Sequence, residues 1–472
     1  MKNRISALFG KSDIKTGDGA FFVLVFFGFF IITLPAFLAL FPGTLGYDTP
    51  LQLAMFMGEY PFTAGNPVAH TLLLGAVICA AEKLSGSWTF GMAVYSVLQW
   101  LIVLAALSRS FLYMKRRGVP VFIMALGYIY LLLSLPFHVL SFNATKDVLF
   151  GAFLLVFMVL CAEYLYEIKS RRKPEFKRTV ILAASGVLVC LFRNPCVYVL
   201  LAIALLALVF RRRDKGFIAA LVSAAVLSLV FNASARAVFD IAPGGRSLPL
   251  FIPAQQLGTT AAYRLQGSGE VELSDEELEA ILDYLPEELL REEPIHPFSA
   301  DTYFAAMDEK KILEDPGSFF KLWLEVGLKN KGNYYHSARM LMVPYFDADQ
   351  NPYRQLAFEY PFPGISGAEI ERHSLFPPYL SFMYSMLAET EHIPFLLQPG
   401  LGIWLMLLIA VASLIRRDAD PLISVLPGAL YFCGWLIGPV ALLRYLYPIV
   451  IAVPFFLGAL AGVHKVQGGV RK

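Results

Sequence analysis

Charge is scarce in this 472-residue chain. Asp, Glu, Lys and Arg make up 16% of it, 57% is apolar, and the mean hydropathy is +0.60. That excludes an ordinary soluble enzyme, because soluble domains carry about 25% charge and so much apolar surface cannot all be turned inward. It equally excludes a disordered or collagen-like chain. Cysteine is also sparse. The five, at 79, 161, 190, 196 and 433, all lie in apolar stretches, so no disulfide framework is indicated. There is no P-loop, no HExxH, no Cys/His metal spacing, no nucleophile elbow and no G-x-G-x-x-G after a strand. Nucleic-acid binding has no support either, since the basic residues flank apolar runs.

What the sequence has in abundance is long apolar runs. A bilayer core of about 30 Å takes roughly 20 apolar residues per helix. Such runs fall at 20–41, 88–107, 119–140, 148–166, 179–192, 195–210, 217–238, 394–415, 421–438 and 445–463. The fold class expected is therefore an α-helical polytopic membrane protein of about ten spans. The pair 179–192 and 195–210 is short, and Arg193-Asn194-Pro195 between them reads as a tight hairpin. Of the 39 Lys and Arg, 23 lie in six clusters. These are Lys2 to Lys15, Arg109 to Arg117, Lys169 to Arg178, Arg211 to Lys215, Arg416-Arg417 and Lys465 to Lys472. The positive-inside rule places all six, and both termini, in the cytoplasm. Keeping them on one side requires residues 68–84 to lie on the outer membrane surface although they are apolar enough to span.

Residues 240–393 differ in composition. Across 240–397 there are 25 acidic and 11 basic residues. Turn-rich pieces such as Ala242-Pro243-Gly244-Gly245 alternate with helical ones, and Ser274 with Glu277 reads as a capping box. This segment is expected to be a mostly helical extracytoplasmic domain. It would separate an N-terminal membrane module, 1–239, from C-terminal membrane helices, 394–472.

Several short motifs cluster near the outer ends of the spans. The first outer loop, within 42–87, carries Asp48 just before Thr49-Pro50, a helix start with Thr49 as its cap. Continuing that helix puts Gln52 and Glu59 on one face with Met55. Asp48 can act chemically or simply help to orient the helix. His70 follows in Asn66-Pro-Val-Ala-His70-Thr71 and can meet a hydroxyl or phosphate, or be held by Thr71 or backbone. Asn143-Ala-Thr-Lys146-Asp147 lies between the third and fourth spans, where Lys146 is either a snorkelling anchor or a phosphate ligand. Arg193, beside Asn194, is costly in the membrane without a partner, which a lipid phosphate, a carboxylate or carbonyls would supply. Arg444-Tyr445 in a late outer turn is comparable or serves as an aromatic anchor. Gln255-Gln256 and Tyr334-Tyr335-His336-Ser-Ala-Arg339 are weaker candidates in the outer domain.

Taken together, these motifs resemble the GT-C superfamily of polytopic glycosyltransferases, and most closely an uncharacterised bacterial family within it. The resemblance implies that Asp48 is the catalytic base and that basic residues at the outer span ends, Lys146, Arg193 and Arg444, bind a donor phosphate. The donor would be a polyprenyl-phosphate sugar from the surrounding membrane lipids, and the acceptor an envelope glycan, lipid or protein. The best-known members show an acidic pair where this chain has one acid, at 48, so a divalent cation is left open. The rival readings are a flippase for a lipid-linked envelope precursor and a non-catalytic assembly scaffold. Transporters commonly show repeats and ionisable groups near the midplane. Here no repeat is found and the charges gather at span ends, which favours the enzyme.

Overall fold

The computed structural model describes residues 12–170, 174–210, 214–241, 250–295, 299–346, 369–389, 395–436, 438 and 440–461. The clusters at Lys2–Lys11, Arg171–Lys173, Arg211–Arg213 and Lys465–Lys472, and the turn at 242–245, lie outside the described residues. The described residues are helical, with only isolated bridges at Thr44–Asn143 and Ser299–Val440. Two compact units divide the chain. One comprises Met1–Ala242, Asn351–Tyr431 and Leu446–Lys472; the other comprises Pro243–Gln350 and Phe432–Tyr445.

In the first unit the helices are α1 (Ser12–Ala39), α2 (Thr49–Met57), α3 (Val68–Ser85), α4 (Trp88–Arg116), α5 (Val121–Leu133) and α6 (Leu135–Leu140). They continue with α7 (Lys146–Lys169), α8 (Phe176–Phe192), α9 (Cys196–Phe210) and α10 (Lys215–Phe239). Among the described residues, six helices are long and apolar enough to cross a membrane: Gly17–Ala39 within α1, then α3, α4, α7, α10 and Leu443–Leu460. The membrane character read from composition is therefore present in the helices themselves. α7 and Leu443–Leu460 are the inner ones, 83% and 89% buried along their apolar windows, whereas α1 is only 17% buried. α4 and α8 pack directly on α7, and α1, α3 and α10 pack on these in turn. The outer helices leave large apolar side chains exposed, among them Leu24, Ile31, Leu205, Leu227 and Val230. In water such faces would be unfavourable; against lipid tails they are the expected surface.

The run at 119–140 is not one helix. Pro136 has no N–H to continue the ladder and disfavours helical geometry before it, so α5 stops at Leu133 and α6 restarts at Leu135. His138 Nε2 donates to the Leu132 carbonyl at the break, 2.9 Å away. The break at Arg193-Asn-Pro195 falls where the sequence puts it, between α8 and α9.

The basic helix ends are tied to one another. Lys115 and Arg116 hold Asp18, Lys169 holds Asp418 and Asp420, and Arg178 holds Glu163. They lie at the Lys169 end of α7. Its 24 residues make it about 36 Å long at ~1.5 Å per residue, so its Lys146 end is a bilayer thickness away.

α3 and α4 approach closely. An added Cβ at Gly91 would lie 2.5 Å from the Ile78 backbone oxygen, which cannot swing aside. Gly91→Ala is expected to cost about 1–3 kcal/mol by prying this hairpin apart, read as a lower Tm in detergent.

The second unit has its own core. Its helices are α11 (Phe251–Gln266), α12 (Asp275–Leu282), α13 (Glu287–Glu292), α14 (Asp301–Ala306), α15 (Glu309–Glu314), α16 (Pro316–Lys329) and α17 (Lys331–Phe346). Leu257, Ala261, Ile281, Leu290, Tyr303, Ile312, Phe319 and Val326 fill the space between them. The capping box forms: Ser274 Oγ accepts from the Glu277 N–H at 3.2 Å, and Glu277 Oε2 from the Ser274 N–H at 3.0 Å. Glu277 also meets Lys329 at 2.8 Å. Burial pushes its carboxyl up, but the Lys329 ammonium and the Ser274 N–H outweigh this and hold it below its usual range. This unit ends sooner than the acidic composition does. α18 (Pro377–Glu389) packs with α1 instead, and the Leu375 N–H donates to Leu38 O at 2.8 Å. In the other direction, Phe432–Tyr445 joins the second unit. The helices completing the description are α19 (Leu401–Arg416), α20 (Asp420–Trp435) and α21 (Leu443–Leu460).

Candidate functional site

Two loops meet at the Lys146 end of α7. The Thr44 N–H donates to Phe142 O at 2.9 Å and the Ala144 N–H to Thr44 O at 2.8 Å. Thr49 Oγ1 donates to Ala144 O at 2.8 Å. From behind, Gln99 Nε2 reaches Ser141 O and Asn143 O at 3.0 and 2.9 Å. Gly43 fits this junction because its φ of +113° and the Ser96 hydroxyl at its would-be Cβ position admit no side chain. Asn143 is buried within the junction.

That junction fixes Asp48 and Lys146 side by side. Lys146 Nζ donates to Asp48 Oδ2 at 2.9 Å, to Asn66 Oδ1 at 3.1 Å and to Gly65 O at 3.3 Å. Its three N–H groups thus join three segments of chain. Lys146 is buried, but the Asp48 side chain keeps 38% of its exposure. Asp48 occupies the position before α2, yet its carboxylate makes no capping bond, and Thr49 does not cap either. The orienting role open to Asp48 is thus exerted through Lys146.

The next residue builds a second pair. Asp147, fully buried, accepts from Arg193 Nη1 at 2.7 Å and from Thr145 Oγ1 at 3.1 Å. Arg193 stands at the break between α8 and α9, and Asn194 Nδ2 reaches Ala64 O at 3.5 Å. Asp48, Lys146, Asp147 and Arg193 therefore alternate in sign through adjacent residues of α7.

Gln52 and His70 form the wall behind. Gln52 Nε2 donates to Thr71 Oγ1 at 3.0 Å, and Thr71 donates to Pro67 O. His70 Nδ1 meets Gln52 Oε1 at 3.0 Å, and Tyr95 OH meets His70 Nε2 at 2.9 Å. One assignment satisfies every member: neutral His70 donates from Nδ1 and accepts from Tyr95. His70 and Gln52 are both buried, so they brace the wall and do not line the opening. Tyr95→Phe would strand His70 Nε2, and a Tm loss equivalent to about 1–3 kcal/mol is expected in detergent.

Glu59 is not on the Gln52 face. α2 stops at Met57, Gly58 turns left-handed with φ of 82°, and Glu59 lies exposed beyond it. Gln255 and Gln256 are buried in the second unit. Gln256 holds Tyr334 O at 3.0 Å and Trp323 Nε1 at 2.8 Å, and Gln255 holds Ser337 O at 3.5 Å. These amides join α11 to α16 and α17, a structural use that a polar residue on an apolar helix equally permits. Arg339 is exposed on α17. Arg444 donates to the Tyr445 hydroxyl at 3.2 Å, and Tyr445 stacks on Trp435 with ring centroids 3.5 Å apart. Asn66, Thr145, Tyr95 and Gln99 also belong to the first-unit site, beyond the candidates the sequence offers for binding. Only Thr145 was legible, as a cap residue directly before Lys146-Asp147.

No group of three or more His, Cys, Asp or Glu side chains placed to hold a metal occurs among the described residues. Both carboxylates of the site face cations. This donor set does not fit a divalent cation. What the arrangement offers is one accessible carboxylate and two cations able to share an anion.

Residues 57–284, just under half of the chain, match the model of DUF6020, a family of unknown function. The match spans His70, Lys146, Asp147 and Arg193 but begins after Asp48. No curated protein and no solved structure matches the chain.

Proposed function

We propose that the chain is a membrane glycosyltransferase of GT-C type, moving a sugar from a polyprenyl-phosphate donor to an extracytoplasmic envelope acceptor. The observation that carries this reading is the accessible Asp48 carboxylate held against buried Lys146, with the Asp147–Arg193 pair on the adjoining residue. The site is a bilayer thickness from the basic helix ends. That separation supports a site on the side opposite the basic helix ends; the proposal adds ten spans with cytoplasmic termini, residues 68–84 on the outer surface, and 240–393 outside.

An outward-facing site has no supply of nucleotide sugars, whereas a lipid-linked donor arrives laterally. In the proposed step the acceptor oxygen forms a bond to the anomeric carbon while the bond from that carbon to the phosphate oxygen breaks. The electron pair leaves with polyprenyl phosphate. The acceptor proton passes to Asp48, and the anomeric configuration inverts. Phosphate is already a good leaving group, so the protein's work is to position the hydroxyl, take its proton and balance the new charge with Lys146 and Arg193. Phosphate oxygens compete with Asp48 for the Lys146 ammonium, so donor binding loosens the pair and frees the base.

The test compares lipid-linked sugars and envelope glycans in a deletion strain carrying wild type or Asp48→Asn at equal expression. Loss of one sugar with accumulation of its lipid-linked donor supports the transferase and names the sugar. A variant matching wild type, while the deletion does not, removes Asp48 from the chemistry and advances the flippase and scaffold readings.

A further inference from the structure

A second charged ladder lies at the opposite end of α7. Arg109 and Tyr113 stand one turn apart on α4, and Arg117 follows directly after that helix. Facing them on α7 are Glu163 and Tyr166. Arg109 Nη2 meets Glu163 at 2.5 Å, and Arg178 of α8 meets the same carboxylate at 3.3 Å. The Arg117 guanidinium lies 3.2 Å from the centre of the Tyr166 ring and 5.2 Å from that of Tyr113. Glu167 binds Arg178 at 3.3 Å. Two carboxylates therefore face three guanidinium groups.

Two buried guanidinium nitrogens in this ladder, Arg109 Nη1 and Arg117 Nε, have no hydrogen-bond partner among the described residues, and the buried Tyr113 hydroxyl, which faces the Arg117 guanidinium, has its proton left to donate. All three can donate. Tyr113 is only 3% exposed. Leaving one such group unmet costs about 1–3 kcal/mol, and more where the group is charged. Three together on one seam call for a ligand rich in acceptors, and the surplus positive charge calls for an anion. Phosphate oxygens fit both, and two arginines can share them.

We propose that Arg109, Tyr113 and Arg117 form a binding site for a phosphate group at the end of the bundle remote from Asp48. The site stands apart from any transfer chemistry and serves to lock α4, α7 and α8 together. The phosphate can belong to an anionic lipid headgroup or be free in solution.

The test is native mass spectrometry of delipidated full-length protein titrated with phosphatidylglycerol, with diacylglycerol of the same chains, or with inorganic phosphate. The comparison is between wild type, Tyr113→Phe and Tyr113→Phe/Arg117→Gln. Tyr113→Phe removes only a hydroxyl and keeps the ring, so the fold survives it. Arg178→Gln is the control, since it leaves all three donors in place. Wild type is expected to prefer phosphatidylglycerol over diacylglycerol. The double variant should lose about tenfold or more of that affinity, the equivalent of one charged hydrogen bond. The control should lose much less. If inorganic phosphate binds and shows the same loss while the two lipids do not differ, the site holds free phosphate. If neither phosphatidylglycerol nor phosphate distinguishes wild type from the double variant, the three donors hold water and the site does not exist.

Discussion

Arg193→Ala should lower the stability of the folded protein by about 3–5 kcal/mol, the usual penalty for stranding one partner of a buried ion pair. Asp147 has no exposed side-chain surface and receives Arg193 at 2.7 Å. Thr145 Oγ1 also donates to it, and the same hydroxyl accepts from the Asp147 N–H. With the guanidinium gone, the carboxylate must take up a proton, admit water or pull α7 away from α8. The measurement is a melt in detergent, followed by intrinsic fluorescence and checked by size exclusion. Asp147→Asn/Arg193→Gln removes both charges at similar volume and should recover most of the loss, because the pair's desolvation cost disappears with its attraction. If Arg193→Ala melted with wild type, the pair would carry no structural weight. If the double variant were as poor as the single, the loss would come from packing and not from the orphaned charge.

Much of this architecture was legible because the bilayer imposes a coarse code. Among the described residues the apolar runs are mostly helical, as a backbone in lipid must satisfy its own hydrogen bonds, and six helices are long and apolar enough to cross a membrane. The Arg193-Asn-Pro195 hairpin was legible from a charge and a proline interrupting an apolar run. The break at Pro136 was printed just as plainly, but the apolar residues around it continue without interruption and masked it. The site was legible only as residue types at span ends. Asp48 and Lys146 are 98 residues apart, and nothing in one sequence pairs them. Gln52 with His70 and Asp147 with Arg193 are hidden in the same way. Gln255 and Gln256 join helices of the second unit, a use that the sequence does not show because an amide that binds a ligand and one that ties two helices together look alike. Glu59 failed on a single residue, Gly58, whose left-handed geometry ends the helix that would have aligned it with Gln52.

The contrast between the two ion pairs makes the decisive experiment interpretable. Asp48 is partly exposed but its partner Lys146 is buried; Asp48→Asn keeps the side chain's shape and an amide oxygen for Nζ to donate to, and Lys146 keeps Asn66 and Gly65 as acceptors. It should therefore fold and lose less stability than Arg193→Ala. If Asp48 takes the acceptor proton, transfer should fall about 10²–10⁴-fold, the usual contribution of a positioned general base. The assay is purified protein in nanodiscs, with lipid-linked donor and acceptor extracted from the deletion strain. The loss should sit in kcat, with the donor's KM little changed, because the base acts on the acceptor hydroxyl and not on the phosphate. Lys146→Met should show the opposite split. It removes an ammonium proposed to meet the phosphate in both ground and transition states, so the donor's KM rises along with any loss in kcat. It also releases Asn66 and Gly65, so its Tm must be measured beside its kinetics. An Asp48→Asn enzyme with wild-type kcat would end the assignment of Asp48 as base, whatever Lys146→Met did. A Lys146→Met enzyme that folds and keeps the wild-type KM would move the phosphate away from α7. Arg193 would then be the remaining cation of the site to bind it, a role it could fill only by letting go of Asp147.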